Sequence, residues 1–509
     1  MPQKRLLPFI LNISFAKQIF SGYQINSRPR YHKKNKMKRG YFFMAQDNFS
    51  TYGDYPKPKK SKTSQDITYS SFWAQLPSLL LHNVFDLLSN EDRCNASLVC
   101  KHWRQNSFHP KWWTKITFKI EENNLEKARF MNYTFGKIVA DARIVINSLS
   151  LECMEEFIHL LRLLSDNNNL RSLYLEPTHC RFDVPYKCIN SNEDDPWGIM
   201  SLLLPCLPNL VKFSIGCIED LSYFIEDILK HLDPNKVTHL GLASVKDDPV
   251  NYQYCCFDPE LLAPFNKLEV LSIDYDVLSD HLLRSLDSAK QLQRLVVHLH
   301  AVPQGMVPPT NQSWLTFRHM HPNCELRLTA IHTFKDIDNL HETVLREQMP
   351  LSHIKLFFCE KVNLELIQNL TNYSETLRSI TLIDSQSEDG NSWSFTKPIF
   401  DQSPDPFVLA AWLCKRLEEF VMYGYKYKEE NLVAIGRLRG EKLKKLEMAE
   451  SDIIFSQMDG EESALTDIPV RMQKPWKPVK LSDLHPVISN PDDGDSDEYL
   501  LPIVLADLY

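Results

Sequence analysis

The sequence of 509 residues predicts an α/β fold, in which a small helical module precedes a solenoid with one strand and one helix per repeat. Three observations lead to this prediction. The chain is too long for one ordinary compact core. Apolar residues recur at helical spacing between Leu76 and Leu88. Phrases of one type, such as "LRSLYL", "LEVLSI" and "LKKLEM", then recur at intervals of about 30 residues.

Residues 1–68 are predicted to be a disordered, basic extension and linker. Residues 1–46 contain ten Lys and Arg but no Asp or Glu, and "YPKPKKSKTSQD" follows without sustained periodicity. Such a start is also typical of a mitochondrial transit segment, and the lysines between Lys57 and Lys62 of a nuclear import signal. The alternative is a solvated tail, with Met1 or Met44 as the initiator. We expect a cytoplasmic and/or nuclear location.

Residues 69–118 are predicted to form a helical domain. The apolar residues from Leu76 to Leu88 suit a first helix, and Asn90 and Asp92 can cap a second one that carries Trp103. A short element ending in two tryptophans follows. About 45 residues are marginal for an independent core, so this domain is expected to need a partner surface.

Residues 119–455 are predicted to form the solenoid. Each apolar phrase predicts a strand, and the sequence between two phrases, such as "SDHLLRSLDSAK" at 279–290, predicts a helix. One strand and helix cannot bury their apolar faces alone, so neighbouring repeats are expected to stack. The pattern L-x-x-L-x-L or a variant begins at Ile146, Leu170, Leu210, Val237, Leu268, Leu292, Asn323, Leu351, Leu377, Leu417 and Leu443.

The composition argues against several classes of partner and cofactor. Beyond residue 46 the chain carries 47 basic and 65 acidic residues, so direct nucleic-acid binding is not expected. No apolar run approaches the roughly 20 residues that span a bilayer, so no membrane contact is expected. The twelve cysteines suit buried thiols in a reducing compartment. His179, Cys180 and Cys188 suggest half of a zinc site, but no second ligand pair follows, and no metal or other cofactor is expected.

Motifs for catalysis are absent from the sequence. It contains no G-x-x-x-x-G-K-[ST] loop, no G-x-S-x-G elbow and no H-E-x-x-H pair. Without such a motif, combinations of histidines and acids have little specificity as candidate active sites. We therefore expect no catalytic residues and no enzymatic activity of the chain itself.

The block from Trp73 to Ile116 resembles the F-box. It has the Leu-Pro opening, the phrase "LVCKHW" at 98–103 and the closing "HPKWW" at 109–113. One departure is Leu79, where many F-boxes have Glu. The following region is similar to the repeats of F-box proteins with leucine-rich repeats, in an open or a degenerate form.

This resemblance implies a non-catalytic substrate receptor of an SCF-type, cullin-RING ubiquitin ligase. The F-box would bind a Skp-type adaptor, and the repeats would hold a protein target for ubiquitination and proteasomal degradation. The alternative is a non-degradative repeat scaffold that binds the adaptor. Val99 and Trp103 could also serve only to close the small helical core. The adaptor-binding set implied by the resemblance is Leu76, Pro77, Leu81, Val84, Leu88, Val99 and Trp103.

Four long insertions follow predicted strands, at 176–200, 243–259, 298–313 and 384–405, and are expected to project along one rim of the solenoid. Aromatic side chains bordered by acids would suit a protein target, possibly a basic one. Alternatively, the aromatics tuck back onto the repeats. The candidate target-binding residues are Trp197, Tyr252, Tyr254, Trp314, Trp393 and Phe395. A second candidate site on the concave surface comprises Tyr174, Arg327, Lys355 and Glu447.

Residues 456–509 are predicted to be a C-terminal tail, partly acidic and disordered. The acidic stretch "NPDDGDSDEY" precedes an ending, "YLLPIVLADLY", that is unusually apolar for a free terminus. We expect this ending to pack on the last repeat or to serve as a short peptide ligand.

Overall fold

The computed structural model describes residues 73–183, 195–387, 390–396, 404–455, 464–490 and 495–509. The predicted basic extension, residues 1–68, lies outside these ranges. The described residues form one compact unit. No helix within the described ranges is long and apolar enough to cross a lipid bilayer.

Three short helices form the N-terminal module, one more than in the predicted hairpin, because residues 97–100 interrupt the second helix that was expected to carry Trp103. They are α1 (Ser78–Phe85), α2 (Asn90–Ala96) and α3 (Lys101–Ser107). The side chain of Ser89 accepts the backbone N–H of Asp92 at 3.1 Å, which caps α2. A 3₁₀ turn over Pro110–Trp112 completes the module.

A parallel sheet of twelve strands follows, and its strands are hydrogen-bonded in chain order. This arrangement confirms the predicted solenoid of strand-and-helix repeats. Two further strands, β12 (Tyr427–Lys428) and β14 (Ile453–Ile454), pair with each other. The twelve are β1 (Lys115–Ile120), β2 (Asp141–Ile146), β3 (Ser172–Pro177), β4 (Lys212–Ser214), β5 (His239–Gly241), β6 (Val270–Asp274), β7 (Arg294–Leu299), β8 (Glu325–Ile331), β9 (Leu351–Phe357), β10 (Ser379–Ile383), β11 (Glu419–Tyr423) and β13 (Lys445–Met448).

Helices and 3₁₀ turns connect the strands, because parallel strands need a crossover that a tight turn cannot provide. The helices between β1 and β13 are α4 (Leu125–Phe135), α5 (Leu151–Ser165), α6 (Ile199–Leu203), α7 (Glu219–Ser222), α8 (Ile225–His231), α9 (Asp280–Ser285), α10 (Asn311–Met320), α11 (Leu340–Thr343), α12 (Leu364–Asn369), α13 (Pro406–Leu413) and α14 (Glu429–Arg439). Three more follow the sheet: α15 (Asp467–Met472), α16 (Pro486–Ser489) and α17 (Ser496–Leu505).

Ten of the eleven predicted phrases coincide with strands of the sheet, and the phrase at Ile146 does not. Ile146 ends β2, and Leu151 begins α5 instead of closing a strand. The reason is local: Asn147 accepts the backbone N–H of Leu149 at 3.2 Å, which turns the chain at the residues expected to extend it. The strands β1 and β2 were not marked by a leucine phrase.

The two faces of the sheet carry separate apolar cores. In β8, Leu326 and Leu328 join the large core shared with the helices, whereas Arg327 alternates to the opposite side. We call that opposite side the helix-free face, because the helices that connect the strands lie on the other side of the sheet. Its apolar side chains, including Val270 and Val421, form a second core together with residues of α16 and α17.

Within the predicted C-terminal tail, the described residues 464–490 and 495–509 contain the helices α15, α16 and α17. The expectation that the ending packs on the last repeat is wrong. Helix α17 contacts β3, and the turn at Ala506–Leu508 contacts β5 and β6. The physical reason is burial, because five apolar side chains of this segment are almost fully removed from water on the helix-free face. They are Leu500, Leu501, Val504, Leu505 and Leu508.

Candidate protein-interaction sites

Part of the implied adaptor-binding set forms the interior of the N-terminal module. Leu76, Leu81 and Trp103 are buried. The Trp103 ring lies edge-on to Phe85 with centroids 5.6 Å apart, and its Nε1–H donates to the Trp73 carbonyl at 2.8 Å. These contacts show that Leu76, Leu81 and Trp103 hold the helices together, so any effect of Trp103 on a partner acts through the fold.

Other apolar side chains of the module are exposed. Within the implied set, Pro77 and Val99 are exposed, and Val84 and Leu88 are half-buried. Sequence reasoning missed four exposed leucines, because helical spacing marks apolar positions without showing which side is covered. Leu79 and Leu98 are the most exposed, at 74% and 71%. We call the exposed set the apolar surface of the module: Leu79, Leu80, Leu87, Leu98 and Val99.

The partner surface that the small module needs is provided in part by the first repeat. Trp113 is buried and stacks on Phe135 of α4, with ring centroids 4.3 Å apart and an interplanar angle of 23°. The Trp113 Nε1–H donates to the carbonyl of Ser107 at 2.7 Å. One continuous core therefore extends from the module into the solenoid.

The insertions leave the solenoid at one edge, as predicted. They follow β3, β5, β7 and β10, and every pairing in the twelve-stranded sheet is parallel. The carboxyl ends of parallel strands meet at the same edge of a sheet. The described parts of all four insertions therefore begin on one rim.

Most candidate target-binding aromatics of this rim tuck back onto the repeats. The indole N–H of Trp197 donates to the Asp183 carbonyl at 2.7 Å, and that of Trp393 donates to the Ser385 carbonyl at 2.9 Å. Each bond is made within the insertion that carries the tryptophan, and it anchors the ring. These two indoles therefore serve to fold their insertions.

Trp314 and Phe395 likewise pack inward. Trp314 lies on α10 and is fully buried against Phe317, with centroids 5.7 Å apart, which corrects its prediction as an exposed target contact. Phe395 stacks on Tyr425 at 5.1 Å. The sequence did contain a signal for the burial of Trp314. The residue lies in a helical pattern directly after the insertion, where an apolar side chain is expected to face the core.

Tyr252 and Tyr254 form the part of the rim where aromatic surface remains accessible. Tyr254 is 46% exposed, and its ring is 5.1 Å from that of Tyr252. The Tyr252 hydroxyl donates to Asp276 at 3.1 Å. Burial, followed by the charge of Asp274, raises the pKa of Asp276 to about 6.

A buried polar cluster fixes this insertion to the sheet. Lys246 Nζ lies 3.4 Å from a carboxylate oxygen of Asp274, and both side chains are buried. Asp274 also accepts the Ser244 hydroxyl, while rings of His298 and His300 each lie 3.1 Å from the Ser244 carbonyl. Burial opposes the charge on Asp274, but Lys246 and the surrounding hydrogen-bond donors hold its pKa below the usual value.

The second candidate site, on the helix-free face, is occupied by the C-terminal segment. Lys355 Nζ and Arg327 Nη1 contact the two carboxylate oxygens of Asp507 at 2.7 and 2.6 Å. Arg294 Nη1 donates to the main-chain oxygens of Asp507 and Tyr509 at 2.6 and 2.9 Å. Burial opposes the charge of Asp507, but Lys355 and Arg327 outweigh it and lower the pKa.

The terminal tyrosine completes these contacts. The Tyr509 ring lies 5.0 Å from that of Tyr174 and 4.2 Å from the guanidinium of Arg143. Its hydroxyl donates to Glu176 at 2.6 Å. Glu447, the remaining residue of the second candidate site, instead accepts the hydroxyl of Tyr423 at 2.8 Å.

Side chains with metal-ligand chemistry meet where the C-terminal segment begins. His179 Nε2 is 3.2 Å from Asp495 and 3.7 Å from Asp497. His179 Nδ1 accepts the N–H of Arg181 at 3.1 Å, so the neutral ring carries its proton on Nε2, facing the carboxylates. A histidine that binds a metal through one ring nitrogen usually donates the N–H of the other nitrogen. Here that other nitrogen, Nδ1, accepts a hydrogen bond, so the geometry fits hydrogen bonding of His179 to the two carboxylates. We call His179, Asp495 and Asp497 the His179 clasp. Cys188, considered with His179 above, lies outside the described residues.

Comparison with known proteins identifies the N-terminal module. The F-box-like family matches residues 73–119. These residues form an F-box-like domain. Such domains are generally non-catalytic, and the matches indicate no catalytic family. From here we call residues 73–119 the F-box.

The similarity to known proteins extends far beyond the F-box. F-box only protein 33 of Homo sapiens is 23% identical over 471 residues, which cover 80% of this chain and 83% of that protein. F-box only protein 33 of Mus musculus is 23% identical over 444 residues, which cover 75% of this chain and 77% of that protein. Because these shares far exceed the F-box, the similarity includes a large part of the chain that follows it.

Proposed function

We propose that this chain is the substrate-recognition subunit of an SCF-type, cullin-RING ubiquitin ligase in the cytoplasm and/or nucleus. Its F-box binds a Skp-type adaptor, and its solenoid, a degenerate form of leucine-rich repeats, holds a protein target for ubiquitination and proteasomal degradation. The chain's contribution is to hold the target beside the ubiquitin donor, which raises the effective concentration of the reacting groups.

The observation that carries this proposal is the apolar surface of the F-box. Leu79 and Leu98 are more than two-thirds exposed, although the same short module buries Leu81 and Trp103. A partner that covers one such leucine completely gains about 1.5–3 kcal/mol from its burial. Five exposed apolar side chains within so short a module fit a protein interface.

The target-binding part of the proposal draws on the rim around Tyr254. Its ring is exposed, and the exposed acids Asp247 and Asp248 belong to the same insertion. An aromatic anchor bordered by acids fits a partly apolar, basic target surface. The rim is fixed by the buried pair of Lys246 and Asp274, so this surface is preorganised.

The test is co-purification of the full chain with a Skp-type adaptor and cullin. Leu98→Asp and Leu79→Asp place a charge on the apolar surface without altering the F-box interior, and we expect at least tenfold less adaptor retained. Val470→Asp on α15 is the matched control, because Val470 is also 71% exposed but lies outside the F-box. Leu81→Asp is unsuitable, because Leu81 is buried and its substitution disrupts the fold.

Equal adaptor retention by wild type and both leucine variants would contradict adaptor binding through this surface. A separate measurement addresses the target: protein abundances are compared between cells with the wild-type chain and cells with the Leu98→Asp variant. We expect a protein that binds the solenoid to accumulate with the variant. If adaptor and cullin bind but no abundance changes, the non-degradative scaffold is the correct function.

A further inference from the structure

The C-terminal segment, residues 495–509, contacts the sheet as a separate helical peptide would. Its five buried apolar side chains belong to the second core, which is distinct from the core between the sheet and the helices. It lies across strands near the middle of the solenoid and does not extend the sheet beyond β13. The segment is therefore not a further repeat.

Three cations of the helix-free face converge on the end of this segment. Arg294 on β7, Arg327 on β8 and Lys355 on β9 all bond to Asp507. Asp507 is about 150 to 210 residues away from each of them in sequence, and its carboxylate is buried. Two of them, Arg327 and Lys355, hold the carboxylate, while Arg294 binds the main chain beside it. Paired cations on one carboxylate resemble the recognition of an acidic ligand.

The strand surface also provides space for the segment. A Cβ at Gly241 in β5 would approach Leu508 Cδ1 to 2.7 Å, closer than carbon atoms can pack. A glycine inside a strand often marks the close approach of a ligand or another backbone. At the other end of the segment, Asp497 accepts the backbone N–H of Cys180 at 2.7 Å beside the His179 clasp.

We propose that the helix-free face is a binding site for an acidic, apolar peptide helix that ends in Asp-x-Tyr, that the chain's own residues 495–509 occupy it, and that a target segment of the same chemistry displaces them. This inference rests on the proposed function for the presence of a protein target, and the acidic segment would be separate from the basic surface of that target proposed to face the rim. The C-terminal segment then acts as a built-in competitor that sets a threshold for target binding.

Competition has a quantitative consequence. A tethered segment faces its site at an effective concentration in the millimolar range for a short connection. A free ligand binds only the open fraction, so its apparent Kd equals the intrinsic Kd divided by that fraction. Any change that weakens the tethered copy must therefore strengthen binding of a free copy.

The test uses the labelled peptide DSDEYLLPIVLADLY, which is the sequence of residues 495–509, and the full chain. Fluorescence anisotropy measures peptide binding to wild type, to Asp507→Arg and to Asp483→Arg. Asp507→Arg repels the chain's own segment from Arg327 and Lys355 and should bind the native peptide at least about tenfold more tightly than wild type. Asp483→Arg is the matched control, because Asp483 is exposed on the tail, and it should behave as wild type.

An exchange of charge between chain and peptide, called the crossover below, separates ligand recognition from a structural role. The Arg327→Asp chain should bind a peptide carrying Asp507→Arg and reject the native peptide, with the reverse preference for the Asp507→Arg chain. If Asp507→Arg unfolds, Tyr509→Ala replaces it, because this change removes contacts only at the half-exposed end of the segment. Two results would overturn the inference: equal affinity of every chain for both peptides, or no peptide binding to any variant whose own segment has been weakened.

Adaptor co-purification in the same preparations distinguishes the two proposals. Asp507→Arg lies far in sequence from the F-box, and we expect full adaptor retention by this variant. If the peptides do not show the crossover but the adaptor is retained, the proposal of a peptide site is overturned and the proposed function is not. Loss of adaptor by Leu98→Asp, with the crossover intact, supports both proposals independently.

Discussion

Lys355 Nζ lies 2.7 Å from a carboxylate oxygen of Asp507, although 152 residues separate the two along the chain. Lys355 and Arg327 lower the pKa of Asp507 against the effect of its burial. A carboxylate with a lowered pKa stabilises the fold above its unfolded pKa and loses that contribution as the pH falls through its folded pKa.

The first prediction is acid release of the C-terminal segment. Hydrogen exchange should show that backbone amides of α17 lose protection as the pH falls below about 4, while amides of the central strands keep theirs. Exchange rates are compared with the intrinsic rates at each pH. The Asp507→Asn chain should lack this pH dependence and show low protection throughout; a wild-type profile in Asp507→Asn would contradict the assignment.

The second prediction has the opposite sign and concerns Asp384. Burial raises the pKa of Asp384 to about 7, even though Asp384 accepts hydrogen bonds from Tyr425 and from the backbone of Glu360. A raised folded pKa stabilises the fold at low pH, and this contribution disappears as the pH rises from about 4 to about 7. The difference in free energy of unfolding between wild type and Asp384→Asn should therefore shift in favour of Asp384→Asn across that window. Urea denaturation at several pH values measures it, and a constant difference would refute the prediction.

A third prediction concerns the buried pair at the rim. Lys246→Met leaves the Asp274 carboxylate without its cationic partner in a buried site. Removing one partner of a buried ion pair costs about 3–5 kcal/mol, so the variant should unfold at much lower urea concentration. Lys246→Met combined with Asp274→Leu should recover part of this loss. If the double variant is less stable than the single one, the uncompensated charge is not the cause.

The fourth prediction compares two glycines with nearly equal backbone angles. Gly424 has φ of 83° and Gly305 has φ of 80°, so alanine is strained at both. At Gly424 a Cβ would overlap the carbonyl oxygen of Asp384, whereas at Gly305 nothing lies within 4 Å. Gly424→Ala should therefore lower the free energy of unfolding by more than about 1 kcal/mol beyond the effect of Gly305→Ala. Equal losses would show that the overlap is relieved without cost.

The repeat architecture could be predicted because strand leucines recur at the same place in each unit. At Leu170 and Leu443, for example, the phrase marks a strand of the sheet directly. The misreading at Ile146 arose because a turn through Asn147 gives the same letters a different conformation. Periodicity records which residues are apolar, whereas local hydrogen bonds decide whether the chain extends or turns.

The candidate sites were harder to predict, because they depend on contacts between distant residues. The positions of Arg327 and Lys355 on their strands predicted that both side chains face the second candidate site. They did not predict which residue the two side chains contact there. Their partner, Asp507, was assigned to a partly disordered tail, since no local pattern connects positions so far apart. In the F-box, Leu81 and Leu98 look alike in sequence, and only the fold shows that one is buried and the other exposed.

The stacking of Trp113 on Phe135 has a consequence for the geometry of the proposed ligase. An F-box on a loose tether would let a bound target sample many orientations. Here the indole belongs to the interior of both the F-box and the first repeat, so in the proposed ligase the chain would hold the target at a fixed distance from the adaptor. The lysines of the target that accept ubiquitin would then be selected by their distance from the adaptor, whatever the sequence around them.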